Sequence, residues 1–306
     1  MTSAISPSPP IVPCLWFDDQ AEEAAAFYTR TFGEGRVLAT SHYPQSTDNP
    51  SGKPRGSVLT VDFEVLGRRF TALNGGPYFT INPSISFFVH AETPARTDQL
   101  CAELGQGGKF LMPAGTYPWS ERYGWVQDRF GVSWQVMASR RPPAGAGIVP
   151  CLMFADAQHG RAEEAMQAYT AVFPDSRLGQ IERYGADRGP AGKVVHGRFV
   201  LAGQDFTAMD SHEAQGATFN EGLSFQVMCE DQAEVDRYWE RLSAGGKPGV
   251  CGWLKDAFGL SWQIVPKSIG AWMASRDTQA NERAFKAMLG MKKLDVAALD
   301  AAFAGR

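Results

Sequence analysis

The sequence predicts two tandem α+β domains of one fold, each running βαβββ and then βαβββ again, followed by a helical tail. Three observations predict it. The chain of 306 residues is about twice the usual domain length. Two long stretches carry the same short segments in the same order. Within each stretch, apolar residues alternate along strand-like runs and fall at helical spacing between them.

The repeat opens with Ile11-Val12-Pro13-Cys14-Leu15-Trp16-Phe17, which returns as Ile148-Val149-Pro150-Cys151-Leu152-Met153-Phe154. Ala21-Glu22-Glu23-Ala24, Tyr28-Thr29 and Phe32 return as Ala162-Glu163-Glu164-Ala165, Tyr169-Thr170 and Phe173. Phe70-Thr71-Ala72 matches Phe206-Thr207-Ala208, and Ser86-Phe87 matches Ser224-Phe225. Gly124-Trp125-Val126-Gln127-Asp128 with Phe130-Gly131-Val132-Ser133-Trp134-Gln135 closes the first copy. Gly252-Trp253-Leu254-Lys255-Asp256 with Phe258-Gly259-Leu260-Ser261-Trp262-Gln263 closes the second. The second copy has lost residues where the first carries Phe110 to Tyr123. The resulting division is 1–10 as a disordered N-terminus, 11–139 and 148–266 as the two domains, 140–147 as a Pro/Gly-rich linker and 267–306 as the tail.

In the first copy a strand at 11–17 precedes a helix at about 20–32, in which Ala24, Phe27, Tyr28 and Phe32 share one face. Strands are expected near 36–43, 57–65 and 69–74. Leu59, Val61, Phe63 and Val65 alternate with Thr60, Asp62 and Glu64, as in a half-buried strand. A strand at 84–90, a helix at 93–104 capped by Thr93, and strands at 107–112, 122–128 and 132–138 complete the copy. Helices follow at about 268–275, 278–290 and 295–303, the last capped by Asp295.

Bulk properties narrow the function. Apolar residues make up 44% of the chain and charged residues 20%, as in an ordinary globular protein. A net charge of -4 offers no basic footprint for nucleic acid. No run of apolar residues is long enough to span a bilayer, and the start lacks the regions of a signal peptide. Five cysteines with no Cys-x-x-Cys pair read as reduced thiols in a cytoplasmic protein.

Paired βαβββ modules forming a half-open barrel are the plan of the vicinal oxygen chelate superfamily, and this sequence resembles its PhnB-like subgroup. The resemblance rests on Pro13-Cys14-Leu15-Trp16-Phe17 before Glu22-Glu23-Ala24, on Phe27-Tyr28, Phe32-Gly33 and Asn82-Pro83, and above all on the closing segments. It covers 11–138 and 148–266 and implies two tandem glyoxalase-like domains. It also implies a pseudo-dimer inside one chain, since single-domain relatives usually dimerise through strands. Subgroup members are often labelled demethylubiquinone methyltransferases. The residues do not support that label, because Gly105-Gln106-Gly107-Gly108 follows a helix where a nucleotide-type site needs a strand-to-helix turn.

The resemblance implies a divalent metal held by His and Glu on barrel strands. This sequence departs from that pattern in both copies. Pro13-Cys14-Leu15 and Pro150-Cys151 stand where a His is expected, the strand at 84–88 and Gly222-Leu223-Ser224 offer no ligand, and Gln135 and Gln263 stand where a Glu is expected. The expectation is therefore no metal and no cofactor. Candidate ligand-binding residues are Gln135, Trp125, Tyr123 and Asp62 in the first copy, and Gln263, Trp253, His196, Arg198 and Asp210 in the second. The glutamines should look into a cleft, where an amide offers one donor and one acceptor. Trp134 and Trp262 should lie in the core beneath the helices, while Trp125 and Trp253 are open between core and cavity wall. His196 and Arg198 share one strand face and suit a base and an anion clamp, or a solvated surface. Asp210 and His212 have metal-ligand chemistry but fall in a turn, and His42, His90 and His159 default to the surface.

The expected function is therefore binding of an unknown small molecule. The alternative is a lyase, isomerase or dioxygenase using a noncanonical metal or acid–base chemistry at His196. A third class is an interaction module working through the tail. The tail's apolar stripe (Ala284, Phe285, Met288, Leu289, Met291) must bury either on its own barrel or in a homodimer. Neither a nucleic-acid nor a membrane partner is expected.

Overall fold

A computed structural model describes residues 11–46, 49–139, 147–186, 189–211 and 216–306. The expected disordered N-terminus, nearly all of the expected linker, and His212 lie outside the described residues. The first copy comprises β1 (Ile11–Phe17), α1 (Ala21–Phe32), β2 (Gly35–His42), β3 (Val58–Val65), β4 (Arg68–Asn74), β5 (Ile85–Ala91), α2 (Pro94–Leu104), β6 (Lys109–Tyr117), β7 (Ser120–Gln127) and β8 (Ser133–Ala138). The second repeats the order: β9 (Ile148–Phe154), α3 (Ala162–Val172), β10 (Arg177–Arg183), β11 (Val194–Leu201), β12 (Gln204–Asp210), β13 (Leu223–Cys229), α4 (Gln232–Ser243), β14 (Lys247–Pro248), β15 (Trp253–Lys255) and β16 (Ser261–Pro266). The shortening expected in the second copy falls on β14 and β15, which replace the long β6–β7 hairpin.

Both copies are pairs of βαβββ modules, but the modules join across the copies. Sheet I runs β14-β15-β16-β13-β1-β4-β3-β2 and sheet II runs β10-β11-β12-β9-β5-β8-β7-β6. The seams are antiparallel: β1 on β13, from Ile11↔Val227 to Leu15↔Leu223, and β5 on β9, from Ile85↔Leu152 to Val89↔Ile148. Each copy therefore contributes its first module to one sheet and its second module to the other.

The two crossing loops lock each other. Asn82 donates to the Thr218 carbonyl and Asn220 to the Thr80 carbonyl, both at 3.0 Å. Each Asn also accepts from a backbone amide two residues on, Ser84 at 2.9 Å and Gly222 at 2.8 Å. A second reciprocal clamp lies at the seams. The buried Arg68 donates to the Ile148 and Asp205 carbonyls at 3.2 Å, and its counterpart Gln204 accepts from the Ile11 amide at 3.2 Å.

Helices α1–α4 cover one face of the sheets, and the alternation of the strands follows from that. Val61, Phe63 and Val65 are buried toward the helices, while Thr60, Asp62 and Glu64 are half-exposed on the other face. Thr93 caps α2 by accepting from the Arg96 amide (3.1 Å), and Asp231 caps α4 by accepting from Glu234 (2.9 Å). Trp134 and Trp262 are buried in this core, as predicted.

The repeated closing segment builds a buried polar knot under each helix layer. Asp128 accepts from Tyr28 Oη and Trp134 Nε1 at 2.8 Å, and from the Phe130 and Val132 amides at 2.9 and 3.0 Å. Asp256 repeats the arrangement with Tyr169, Trp262, Phe258 and Leu260. Burial raises Asp128 to about 6 against the pull of these donors. Gly108 and Gly246 sit where the chain passes this knot, and a Cβ there would come within 2.2 Å of the Gln127 carbonyl and 2.0 Å of the Lys255 carbonyl. The glycine-rich turn after α2 thus serves close backbone packing.

The tail forms α5 (Ser268–Met273), α6 (Thr278–Leu289) and α7 (Val296–Ala304). It packs on its own chain at two places. Near the end of β2, Phe285 meets the ring of Tyr43 at 6.4 Å, and Glu282 bonds Ser46. Near the start of β15, the Cys251 and Gly252 amides donate to the Met291 and Lys292 carbonyls at 2.7 and 2.8 Å. Leu294 is buried beside Gly252, and Asp295 caps α7. None of the helices among the described residues is long and apolar enough to cross a membrane.

Candidate functional site

Each sheet curls around its helix-free face. β1 and β15 are three strand positions apart in sheet I, which is about 14 Å in a flat sheet. Yet the rings of Trp16 and Trp253 meet at 5.8 Å. In sheet II, Phe88 of β5 and His196 of β11 are equally separated by order and meet at 5.7 Å. Each sheet thus has a concave helix-free face, its cleft, and the crosswise sheets decide which residues share it. Gln263 and Trp253 of the second copy lie with Asp62 of the first. Tyr123, Trp125 and Gln135 of the first copy lie with His196 and Arg198 of the second.

The floor of cleft I is a chain of hydrogen bonds. Arg69 donates to Asp62 at 2.5 Å, and Thr71 donates to Asp62 at 2.6 Å and contacts Gln226 Oε1 at 3.0 Å. Gln226 donates to Gln263 at 3.3 Å, and Gln263 to Ser224 at 2.9 Å. Cleft II keeps the core of this floor. Tyr123 donates to Gln135 Oε1 at 2.6 Å, and Gln135 Nε2 donates to Ser86 Oγ at 2.8 Å. Trp125 Nε1 is fixed by Ser133 Oγ at 2.7 Å. Gln135 and Gln263 are only 3% and 7% exposed. On the helix-free faces both are hydrogen-bonded floor. Trp125, Trp253 and His196 are half-buried walls, and Arg198 is exposed.

Two readings are corrected. Asp210 does not face a cleft. It is buried on the helix side, accepting from the Gly160, Ala162 and Val194 amides at 2.9, 3.1 and 2.9 Å, so its carboxylate caps α3 and ties down β11. Asn74 does the same for Ala21 at 2.8 Å, which is why the position is polar in both copies. His90 is not a surface residue. It is half-buried on the cleft II face of β5, and its Nδ1 is buried with no partner. Its alternation with Ser86 and Phe88 carried that signal in the sequence. The sequence reading also passed over Cys14, Cys151, Ser86, Ser224 and Gln226 as floor residues.

Burial pushes the Cys14 thiol up to about 12 and the Cys151 thiol to about 11, against hydrogen bonds from Gln263 and Ser224 to the first and from Thr207, Ser86 and Gln135 to the second. Neither should react with a thiol reagent in native protein at pH 8, and both should react after unfolding. Rapid native labelling of either, mapped by mass spectrometry, would contradict this burial.

Burial, the charge of Arg198 and that of His196 lower His90 to about 4, and burial with Arg198 lowers His196. A histidine depressed below its unfolded value of about 6.5 contributes stability that is complete above that pH. For His90 this stability is lost as pH falls from about 6.5 toward 4, because only the unfolded chain takes up the proton. His90→Asn should therefore flatten the fall in unfolding free energy across that window, measured by urea titration at several pH values. An unchanged slope would remove His90 as its source.

The model of the family described as 3-demethylubiquinone-9 3-methyltransferase matches residues 9–137 and again 146–265. The chain belongs to this PhnB-like family. Among solved structures, the PhnB protein from Bacillus cereus is 34% identical over 42% of this chain and 98% of its own, with a TM-score of 0.38. Glyoxalase I from Zea mays shares the fold at 14% identity, over 84% of this chain and 91% of its own, with a TM-score of 0.53. No curated protein matches. The PhnB-like chain thus carries the vicinal oxygen chelate fold twice over.

The fold family's divalent metal does not fit the donor sets present. Each floor offers a thiol held protonated by burial, a hydroxyl and an amide, and the amide's NH2 points at the serine. Such neutral groups are weak ligands for a hard cation. Among the described residues, no three His, Cys, Asp or Glu side chains come together as a metal-holding group.

Proposed function

We propose that the chain is a small-molecule binding protein whose two clefts act without the family metal. The observation that carries this reading is the shared floor. In both clefts a buried glutamine is fixed by a serine beneath a tryptophan wall, giving a preorganised polar patch in an aromatic setting. Methyl transfer has no support in the residues, since the glycine turn follows helix α2 where an adenosyl-type methyl donor needs a strand-to-helix turn, and Gly108 in it is packed against the backbone of Gln127 and Asp128. The test is a ligand panel read by tryptophan fluorescence, with elemental mass spectrometry on protein purified without chelators. Saturable quenching that Trp125→Phe or Trp253→Phe abolishes supports the reading. A stoichiometric divalent ion, with ligand binding only in its presence, would sink it.

A second reading, acid–base catalysis at His196, is favoured by one observation. This half-buried imidazole is held toward its neutral form by burial and Arg198, the state a general base requires. His196→Ala should then abolish turnover while leaving the melting temperature unchanged. Retained turnover would exclude the residue.

A further inference from the structure

We infer that cleft II is a site for a small organic carboxylate, held by Arg198, His196 and His90 against the ring of Phe88. The inference rests on the reading of the clefts as ligand sites and names the chemistry one of them takes.

The group comes from both copies: Phe88 and His90 from β5, His196 and Arg198 from β11. The edge-to-face contact of Phe88 and His196 brings the two strands together over the cleft, and the charge of Arg198 acts on both imidazoles. None of the three polar side chains forms a hydrogen bond or ion pair with the described residues, and His90 Nδ1 is buried without a partner. The guanidinium and the two imidazoles thus bring N–H donors together with no acceptor among the described residues, which suits an anionic acceptor. The carboxylate whose charge acts on His196 is Glu182 of β10, which lies opposite it on an exposed strand.

The fold does not require this arrangement. The matching positions of cleft I carry Thr60 for His196, Asp62 for Arg198, Gln226 for Phe88 and Met228 for His90. There, Asp62 is already bound by Arg69 and Thr71. The two clefts therefore share a floor and differ in charge. Cleft I has its charges paired within the protein, and cleft II presents a free guanidinium with two imidazoles. A guanidinium binds the two oxygens of a carboxylate through parallel N–H donors, and an imidazole beside it supplies a third. Phe88 and Trp125 give the ligand's apolar body a place to lie.

The test is titration of the full chain with benzoate and with its neutral analogue benzamide at constant ionic strength, followed by NMR of the histidine imidazoles and tryptophan indoles. Benzoate should shift the His90 and His196 signals saturably. Arg198→Gln should weaken it about tenfold or more, and Arg198→Lys should weaken it less, while benzamide binding is unaffected by either. Arg198 is exposed, so both variants should fold. Benzoate that leaves both imidazoles unmoved, or binds Arg198→Gln as tightly as wild type, overturns the carboxylate assignment. If benzamide still moves the Trp125 indole in that case, ligand binding stands without the anion. If neither compound moves any cleft signal, the inference and the ligand reading fall together.

Discussion

Replacing Asp128 by alanine should destabilise the protein by at least about 3 kcal/mol, and Asp256→Ala should act alike. The carboxylate is the common acceptor for a tyrosine hydroxyl, an indole N–H and two backbone amides. Alanine leaves these donors dry and unpaired beneath α1, at about 1–3 kcal/mol for each one that cannot find water. Asp128→Asn should cost less. Its Oδ1 still accepts from Phe130 and Val132, and Tyr28 can rotate its hydroxyl to accept from the new amide. The Trp134 N–H has no such freedom. Urea denaturation of the single variants provides the measure. A loss below about 1 kcal/mol for Asp128→Ala would show that the knot is wetter or more plastic than its geometry implies.

Residues 11–139 expressed alone should form a dimer. In the full chain, β1 and β5 of this segment both pair with strands of the second copy. Cut out as a monomer, it would expose the backbone edges of two interior strands together with their apolar side chains. A second molecule can cover both, because β1 and β9 open on the same sequence, as do β5 and β13 at Ser86-Phe87 and Ser224-Phe225. Light scattering should give twice the fragment mass. A folded monomer would mean that β1 pairs with its own β5, and that the crossing loop (75–84) does not dictate exchange. A mixed sample of the two fragments, 11–139 and 148–266, should reassemble both sheets, with cleft II depending on residues from each.

The two expectations draw on different levels of information. The knot was written in the sequence as a twelve-residue segment repeated with its Asp, Phe, Gly and Trp in place, although its meaning was not. Nothing in that spacing says that one carboxylate accepts four hydrogen bonds, because Tyr28 and Tyr169 arrive from helices far away in the chain. The crosswise pairing was less legible still. Parallel and antiparallel neighbours within a module follow from short connections, whereas the partner of β1 is chosen by which of two related strands, β5 or β13, the long crossing loops can deliver. Asn82 and Asn220 mark that choice only in retrospect.

By itself the sequence determined the duplicated fold, the order of its strands and helices and the buried Trp134 and Trp262, although the strand expected at 107–112 runs over Lys109–Tyr117. These are legible because periodicity and repetition are properties of neighbouring residues. The tertiary structure alone decided that Gln135 shares a cleft with His196 and Arg198, and that Asp210 is a helix cap. It also decided that His90 is half-buried with a nitrogen unpaired. Each of these depends on contacts between strands from different copies, or between a strand end and a helix start, and sheet curvature sets such distances where sequence separation cannot.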